Sequence, residues 1–188
     1  MTPGRTVARP AATAARRARR RLGLLLVAAA FAGIDLGLKA WATTALDGQP
    51  IEGGPVDLQL AYNPGVAFSV GASAPGWLVL AVTGLITAGV AVALWRTAPA
   101  GRRLWGIALA VILGGAVANF IDRAADGVVT DYLHTGWWPT FNLADAFIVL
   151  GGLTIVALSF REPAPRTDAS DEQERIYEID GEDGTAER

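Results

Sequence analysis

The chain has 188 residues, of which 52% are hydrophobic, and its formal net charge is −2. Long uncharged apolar runs at this level of hydrophobicity are typical of a membrane protein and argue against a soluble one. Cysteine is absent, which excludes disulfides, thiolate catalysis and cysteine metal sites, and the lone histidine, His134, argues against a histidine-rich metal site or a Ser-His triad.

Charge is distributed unevenly between the two ends of the chain. Residues 1–21 contain seven arginines, no acidic residue and no apolar period. We interpret them as a disordered basic arm that forms the cytoplasmic flank of a membrane helix, with nucleic-acid binding as the alternative. Residues 161–188 contain ten acidic residues against four arginines and few apolar groups, which predicts a disordered acidic tail, also cytoplasmic.

Four apolar segments lie between these ends, at roughly 22–45, 77–95, 104–121 and 141–160. Each is close to the ~20 residues needed to cross a hydrocarbon core of ~30 Å. The first segment could also be a cleaved signal peptide, but its helical pattern continues through IDLGLKAWA and favours an uncleaved span. The predicted fold is an all-α membrane protein whose four transmembrane helices occupy residues 22–160.

The few charges between the tails predict the orientation of these spans. Arg96, Arg102 and Arg103 flank the short loop between the second and third spans, and by the positive-inside rule they place this loop and both termini in the cytoplasm. Segments 46–76 and 122–140 then lie on the outer side. All eight acidic residues of the core fall on or near that side: Asp35, Asp47, Glu52, Asp57, Asp122, Asp126, Asp131 and Asp145.

The outer segment between the first two spans has a strand-like pattern. Apolar and polar residues alternate in VDLQLAY, which predicts a short strand, and the following Asn-Pro-Gly predicts a turn. The stretch VAFSV could return as a second strand. We therefore expect a small extracytoplasmic β element between helices 1 and 2.

The first span carries an acid and a base four residues apart, Asp35 and Lys39. This spacing lets the two side chains meet on one helix face. They could form a neutralising pair close to the membrane interface. Because charges within spans are costly and tend to be placed for a purpose, they could also belong to a functional site.

The third span ends in the stretch GGAVANFIDR. Gly114 and Gly115 allow a neighbouring helix to approach closely. Asn119 and Asp122 are one turn apart and can point into the same pocket. Arg123 could extend to the lipid headgroups, or it could brace a carboxylate through a bidentate contact.

The fourth apolar segment opens with FNLADAFIVLGG, in which Asn142 and Asp145 have the spacing of a capping box. A carboxylate at a helix N-terminus is held ionised, whereas one in a drier site is held protonated. Two aspartates in different protonation states suit water-mediated amide hydrolysis, and Asp131 is the natural second member because the connection through WWPT is short. Capping plus solvation is the alternative interpretation of both carboxylates.

The segments Asp35–Lys39, AYNPGVAF, GGAVANFIDR, VVTDY and FNLAD, in this order, resemble the lipoprotein signal peptidase (signal peptidase II) family over roughly residues 22–160. The resemblance implies an aspartic endopeptidase of the bacterial cytoplasmic membrane with its active site near the outer face. It further implies cleavage of diacylglyceryl-modified prolipoproteins just before the lipidated cysteine, without metal or cofactor. Asp131 and Asp145 would be the catalytic residues. Prolipoproteins and membrane lipids would be the partners, and nucleic acid would not.

By the same resemblance, eight further residues would bind substrate or support the pocket: Asp35, Lys39, Asn63, Gly65, Asn119, Asp122, Arg123 and Asn142. Asn63 and Gly65 would belong to the outer β element that lines the substrate site. This chain departs from the family at Leu36, where Gln is common. Two other classes of function compete, a transporter that uses the carboxylates as a proton relay and a structural scaffold. The relay predicts acids spread through the membrane depth, and the scaffold predicts no converging acids.

Overall fold

The computed structural model of the chain describes residues 10–65, 75–100 and 102–161. The chain divides into two units, residues 1–157 and 158–188, and the second is described only for residues 158–161. The predicted acidic tail therefore lies, apart from Arg161, outside the described residues. The helices and strands follow in the order α1 (Pro10–Ala45), β1 (Asp57–Asn63), α2 (Gly76–Thr97), α3 (Arg103–Asp126), β2 (Val129–His134) and α4 (Leu143–Ser159).

Helix α1 begins well before the first predicted span. It starts at Pro10, so the prediction of a disordered arm over residues 1–21 is wrong for residues 10–21, which are helical. Alanine and arginine are both good helix formers, and proline is favoured at the first helical position. Residues 10–21 can be helical without an amphipathic pattern of their own, because they are the first part of a longer helix whose later residues are stabilised by packing. Residues 1–9 lie outside the described part of the chain.

Three of the helices are long and apolar enough to cross a membrane, over Thr13–Ala45, Gly76–Ala100 and Arg103–Asp126. The fourth, α4, is apolar but has only 17 residues. At 1.5 Å per residue it is about 25 Å long, which is at the lower limit for a span. Large hydrophobic side chains on the helices face outward, as at Leu85 and Leu153, which are 75% and 60% exposed. This is a multi-pass membrane architecture.

Helix α3 lies at the centre of the bundle, and its small residues allow the close packing that the sequence predicts. A Cβ added to Gly114 would lie 2.7 Å from the carbonyl oxygen of Ala28 in α1. One added to Gly115 would lie 2.5 Å from the carbonyl oxygen of Ala144 in α4. Both distances are too short for a real Cβ, so glycine is required at both positions. The contact at Gly115 sets how closely the first turn of α4 approaches α3.

Strands β1 and β2 form a two-stranded antiparallel sheet whose register pairs Asp57 with His134 and Asn63 with Val129. The sequence predicts a β element between helices 1 and 2, in which VAFSV could return as a second strand. Strand β1 lies there as predicted, but its partner among the described residues is β2, which lies between α3 and α4. The stretch VAFSV itself lies outside the described residues. The sheet thus brings the segment that carries Asp131 onto the segment before α2.

Candidate active site

The first turn of α4 is capped as the sequence predicts. The side-chain Oδ1 of Asn142 accepts a hydrogen bond from the backbone N–H of Asp145 at 3.0 Å. In return, Oδ2 of Asp145 accepts from the backbone N–H of Asn142 at 3.3 Å. The capping box is therefore reciprocal, and it holds the carboxylate of Asp145 at the positive end of the helix dipole.

Two further side chains occupy the remaining backbone donors of this turn. The N–H of Leu143 donates to the hydroxyl of Tyr132 at 3.2 Å, and the N–H of Ala144 donates to Oδ1 of Asp35 at 2.9 Å. The Tyr132 hydroxyl in turn donates to the same oxygen of Asp35 at 3.1 Å. Side chains from α1 and β2 thus satisfy backbone N–H groups that the helix itself leaves free.

Asp131 lies in β2, is 3% exposed, and contacts the cap residue of α4. Its Oδ1 accepts a hydrogen bond from Nδ2 of Asn142 at 2.6 Å. Asn142 is itself fully buried, and it touches both aspartates, Asp131 with its amide nitrogen and Asp145 with its amide oxygen and backbone N–H. The two carboxylates predicted to work together are therefore both hydrogen-bonded to Asn142, that of Asp131 through the side-chain amide and that of Asp145 through the backbone N–H.

The environment of Asp131 favours its protonated form. Burial, and next the negative charge of Asp145, raise the pKa of Asp131 to about 7. Hydrogen bonds from Asn142 and Asn63 and the positive charge of Lys39 act in the opposite direction. Asp131 can therefore exchange a proton near neutral pH, which is the property expected of an acid–base group.

Lys39 connects the first span with the third. Its ammonium group lies 3.0 Å from Oδ2 of Asp35 and 3.2 Å from Oδ2 of Asp122, and it donates to Oδ1 of Asn119 at 2.6 Å. Asn119 then donates from Nδ2 to Oδ1 of Asp145 at 2.8 Å. The predicted contact of Asp35 with Lys39 is confirmed, and so is the convergence of Asn119 and Asp122. Asp35 and Lys39 therefore do not form an isolated neutralising pair, because Lys39 also contacts Asp122 and Asn119.

Asp122 fastens β2 to the end of α3. Its Oδ2 accepts from the backbone N–H of Thr130 at 2.7 Å, one residue before Asp131. Helix α3 ends at Asp126 and is capped by Gly127, whose φ of 78° is in the left-handed region that glycine adopts without strain. This turn directs the chain back into the sheet, and as a result Asp131 comes close to the polar end of α3.

Arg123 is 5% exposed, so its guanidinium does not extend to the headgroups. Among the described residues it forms no bidentate contact with a carboxylate either, which was the other predicted role. Its Nη2 donates to the backbone carbonyls of Asn63, at 3.4 Å, and of Gly65. A turn in which Oδ1 of Asn63 accepts from the N–H of Gly65 at 3.0 Å presents these two carbonyls together. Arg123 therefore holds the end of β1 over the site.

Two cavities meet at Asp145. One has a volume of about 190 Å³ and lies between α2, α3, α4 and the end of β1; its lining includes Asn63, Gly65, Thr83, Thr87, Asn119, Arg123 and Asp145. The other has a volume of about 360 Å³ and is lined by Thr135, Trp137, Trp138, Phe141, Asp145, Ala146 and Val149. Asp131 lines neither of these two cavities. A molecule entering either one would therefore meet Asp145 first.

Sequence reasoning missed a buried polar residue of the site, Tyr132. A tyrosine directly after Asp131 was the available signal, but strand alternation places it on the opposite face from Asp131, and the contact of its hydroxyl with Asp35 spans 97 positions. Within the described ranges, no group of three or more His, Asp or Glu side chains is arranged to hold a metal ion.

Comparison with known proteins places the chain in a family. A family model described as signal peptidase (SPase) II matches residues 27–161. The chain is 37% identical over 153 residues to a lipoprotein signal peptidase of Rhodococcus jostii, covering 74% of this chain and 73% of that protein. It is 40% identical over 154 residues to one of Mycobacterium avium, covering 74% and 80%. It is also 37% identical over 171 residues to one of Streptomyces griseus, covering 84% and 83%.

A solved structure of a bacterial membrane enzyme has the same fold. It superposes with a TM-score of 0.66 at 22% sequence identity, covering 78% of this chain and 92% of that chain. At this level of identity the comparison bears on the arrangement of helices and strands alone.

Proposed function

The chain belongs to the signal peptidase II family, and we propose that it is an aspartic endopeptidase that removes the signal peptide from prolipoproteins. The cut falls just before a cysteine that already carries a diacylglyceryl group. One observation carries the proposal: buried Asn142 is hydrogen-bonded to the carboxylates of both Asp131 and Asp145, and Asp145 lines two cavities.

In the proposed reaction, Asp131 and Asp145 act together on a water molecule. In the proposal the two carboxylates share a proton, because the negative charge of Asp145 raises the pKa of buried Asp131 and both cannot ionise cheaply. One carboxylate takes a proton from the water as it attacks the scissile carbonyl, and the protonated partner polarises the carbonyl oxygen. The proton then passes to the departing amine, and no covalent intermediate forms. The two groups titrate as a pair, so the proton belongs to the pair.

The remaining polar residues support this pair in the proposal. Asn119 and Asn142 donate to Asp145 and Asp131, and these contacts orient the carboxylates. Lys39 supplies a positive charge between Asp35 and Asp122, and this charge lowers the cost of burying several acids together.

At the rim of the smaller cavity, Asn63 and Gly65 present their backbone to the substrate peptide. Arg123 holds this segment in place through its contacts with the two carbonyls.

The substrate enters from the lipid in this scheme. Its apolar signal helix packs between the spans, and its lipidated cysteine stays near the outer leaflet. The larger cavity is almost entirely apolar and includes the rings of Trp137 and Trp138, which suit the boundary between lipid and headgroups. Apolar parts of the substrate would lie there, next to Asp145.

We further propose four membrane spans with both termini in the cytoplasm. Helix α4 forms the fourth span, since a helix of 17 residues is within the range of lengths that cross a membrane. Residues 22–160 then form the peptidase domain, with a basic cytoplasmic arm before it and an acidic cytoplasmic tail after it. Arg96 and Arg102 mark the cytoplasmic side, and the two aspartates lie near the outer face.

The decisive experiment uses the purified protein in detergent micelles with a diacylglyceryl-modified prolipoprotein, in the presence of a metal chelator, and follows the mass of the substrate. We expect cleavage just before the modified cysteine by the unaltered chain. We expect Asp131→Asn and Asp145→Asn to lose at least about 10³-fold in kcat, because each variant removes one member of the acid–base pair.

Asp126→Asn is the matched control. This residue lies at the exposed end of α3 and should retain full activity. An unaltered, folded chain that leaves the substrate whole would rule out the peptidase, and the carboxylates would then be tested as a proton relay. A variant at Asp131 or Asp145 that cuts at the normal rate would remove that residue from the catalytic pair.

A further inference from the structure

The hydroxyl of Tyr132 is the one buried phenol among the described residues that the proposed reaction does not use. The side chain is 3% exposed, and its ring packs in an apolar cluster with Ala42 and Leu46 of the α1 end. Burial, and next the negative charge of Asp35, raise the pKa of Tyr132 above its ordinary value, so the hydroxyl stays protonated. It therefore remains a hydrogen-bond donor at any pH at which the protein works.

This hydroxyl lies at a junction of three elements. It donates to Oδ1 of Asp35 in α1 at 3.1 Å and accepts from the backbone N–H of Leu143 in α4 at 3.2 Å. The same Asp35 oxygen accepts from the N–H of Ala144 at 2.9 Å. One carboxylate oxygen of α1 thus fastens both the strand that carries Asp131 and the helix turn that carries Asp145.

The two aspartates are the immediate neighbours of this junction in the chain. Asp131 directly precedes Tyr132, and Asp145 directly follows Ala144. The backbone adds a second tie at the same place, because the N–H groups of Tyr132 and Leu133 both donate to the carbonyl of Phe141. The sheet contacts hold β2 at its main chain. The side chain of Asp131 reaches the cap residue Asn142, and the hydroxyl of Tyr132 ties β2 to a backbone N–H in the first turn of α4.

We propose that Tyr132 is a positioning residue whose hydroxyl, held by Asp35, sets the separation of Asp131 and Asp145. The inference rests on the catalytic pair proposed above. It assigns to Tyr132 no contact with substrate and no proton transfer. Because displacement of a catalytic group by about 1 Å can cost about 10²-fold in rate, partial release of this junction should lower the rate of the chemical step.

The test is Tyr132→Phe, which keeps the ring in its apolar cluster and removes only the oxygen. We expect kcat to fall about tenfold with KM unchanged, because the substrate contacts stay and only the geometry of the pair relaxes. Tyr62→Phe is the matched control, since Tyr62 is in the same sheet but 57% exposed, and it should keep the full kcat.

Hydrogen exchange in the absence of substrate gives a second, independent measurement. The N–H of Leu143 loses its acceptor in Tyr132→Phe, so the segment that spans the start of α4 should exchange faster, whereas in Tyr62→Phe it should exchange at the original rate. Melting temperatures of both variants are measured in the same detergent.

Cleavage by the unaltered chain separates the failure of this inference from that of the proposed function. If the unaltered chain cleaves and Tyr132→Phe does so with the same kcat, Tyr132 does not position the pair. A variant that unfolds, or one whose loss lies in KM, would likewise overturn the inference and give Tyr132 a structural or binding role. If the unaltered chain leaves the substrate whole, both proposals fail, whatever the exchange data show.

Discussion

The two ends of the helix bundle treat positive charge in opposite ways. At one end, Lys39 is 3% exposed and lies between two carboxylates and an amide oxygen. At the other end, the guanidinium of Arg21 lies 4.0 Å from the ring centroid of Trp95 and donates to the Trp95 carbonyl in a solvent-accessible place. The charge of Lys39 is stabilised by these buried partners, whereas the charge of Arg21 is also accessible to water.

In the part of the chain that the structure describes, buried ionisable groups are found at the Lys39 end of the bundle and not at the Arg21 end. Burying several ionisable groups in a membrane protein is costly unless each has a partner, so an end that contains them is poorly explained by stability alone. The Arg21 end is built from apolar packing of Leu24, Leu94 and Leu113, which suffices to hold helices together. The polar end is therefore where we propose that the reaction takes place.

The largest expected difference between the two ends is in the response to removing the cation. Lys39→Met should lower the free energy of unfolding by about 3–5 kcal/mol, because Asp35 and Asp122 lose their buried partner. Arg21→Met should cost about 0.5–1 kcal/mol, the value of an exposed cation–π contact. Denaturant titration of both variants in one detergent measures the difference, and equal losses would contradict the contrast between the ends.

The second prediction concerns pH. The pKa of Asp131 is raised from 3.8 to about 7 in the folded protein, so its contribution to stability is full below pH 3.8 and is lost as the pH rises to about 7. In Asp131→Asn this loss is absent. The variant should therefore gain on the order of 2–4 kcal/mol over the unaltered chain between pH 4 and pH 8, while losing its activity.

Unfolding titrations at several pH values measure this difference between the two curves. Asp126→Asn is measured alongside as the matched substitution at an exposed position. If the curve for Asp131→Asn is parallel to that of the unaltered chain, ionisation of Asp131 does not lower the stability of the folded protein.

The smallest expected effect concerns helix packing at the polar end. Gly115→Ala should destabilise the protein by about 1–3 kcal/mol and lower kcat, since the new Cβ would meet the Ala144 carbonyl oxygen at 2.5 Å and displace the start of α4. Gly89→Ala places the same methyl group in open space on α2, where it should stabilise by about 0.5–1 kcal/mol. Thermal unfolding and cleavage assays compare the pair, and two neutral substitutions would mean that α4 tolerates displacement.

Local patterns predicted much of the site correctly. The four-residue spacing of Asp35 and Lys39 and the three-residue spacing of Asn142 and Asp145 are properties of a single helix, so the contacts follow once the helix forms. Three helices long enough to span a membrane follow equally from composition, because a long apolar run has no other stable form in lipid.

Contacts between residues that are distant in the sequence were not predicted. Strand β1 was recognised, but a seven-residue strand does not encode its partner, and β2 is distant in sequence. The two roles predicted for Arg123 are common for an arginine at the end of a span. Its observed contacts with the carbonyls of Asn63 and Gly65 could not be predicted from a local pattern.

The sequence by itself determined the helices that are long and apolar enough to span a membrane and the reciprocal cap of α4, because hydrophobic length and helical spacing act within one segment. Only the tertiary structure decided that Asn142 touches both aspartates and that Asp35 fastens β2 and α4 together through Tyr132 and Ala144. These contacts depend on how closely α1, α3 and α4 approach one another. That distance is set by glycines and by buried hydrogen bonds, whose partners are chosen by packing in three dimensions.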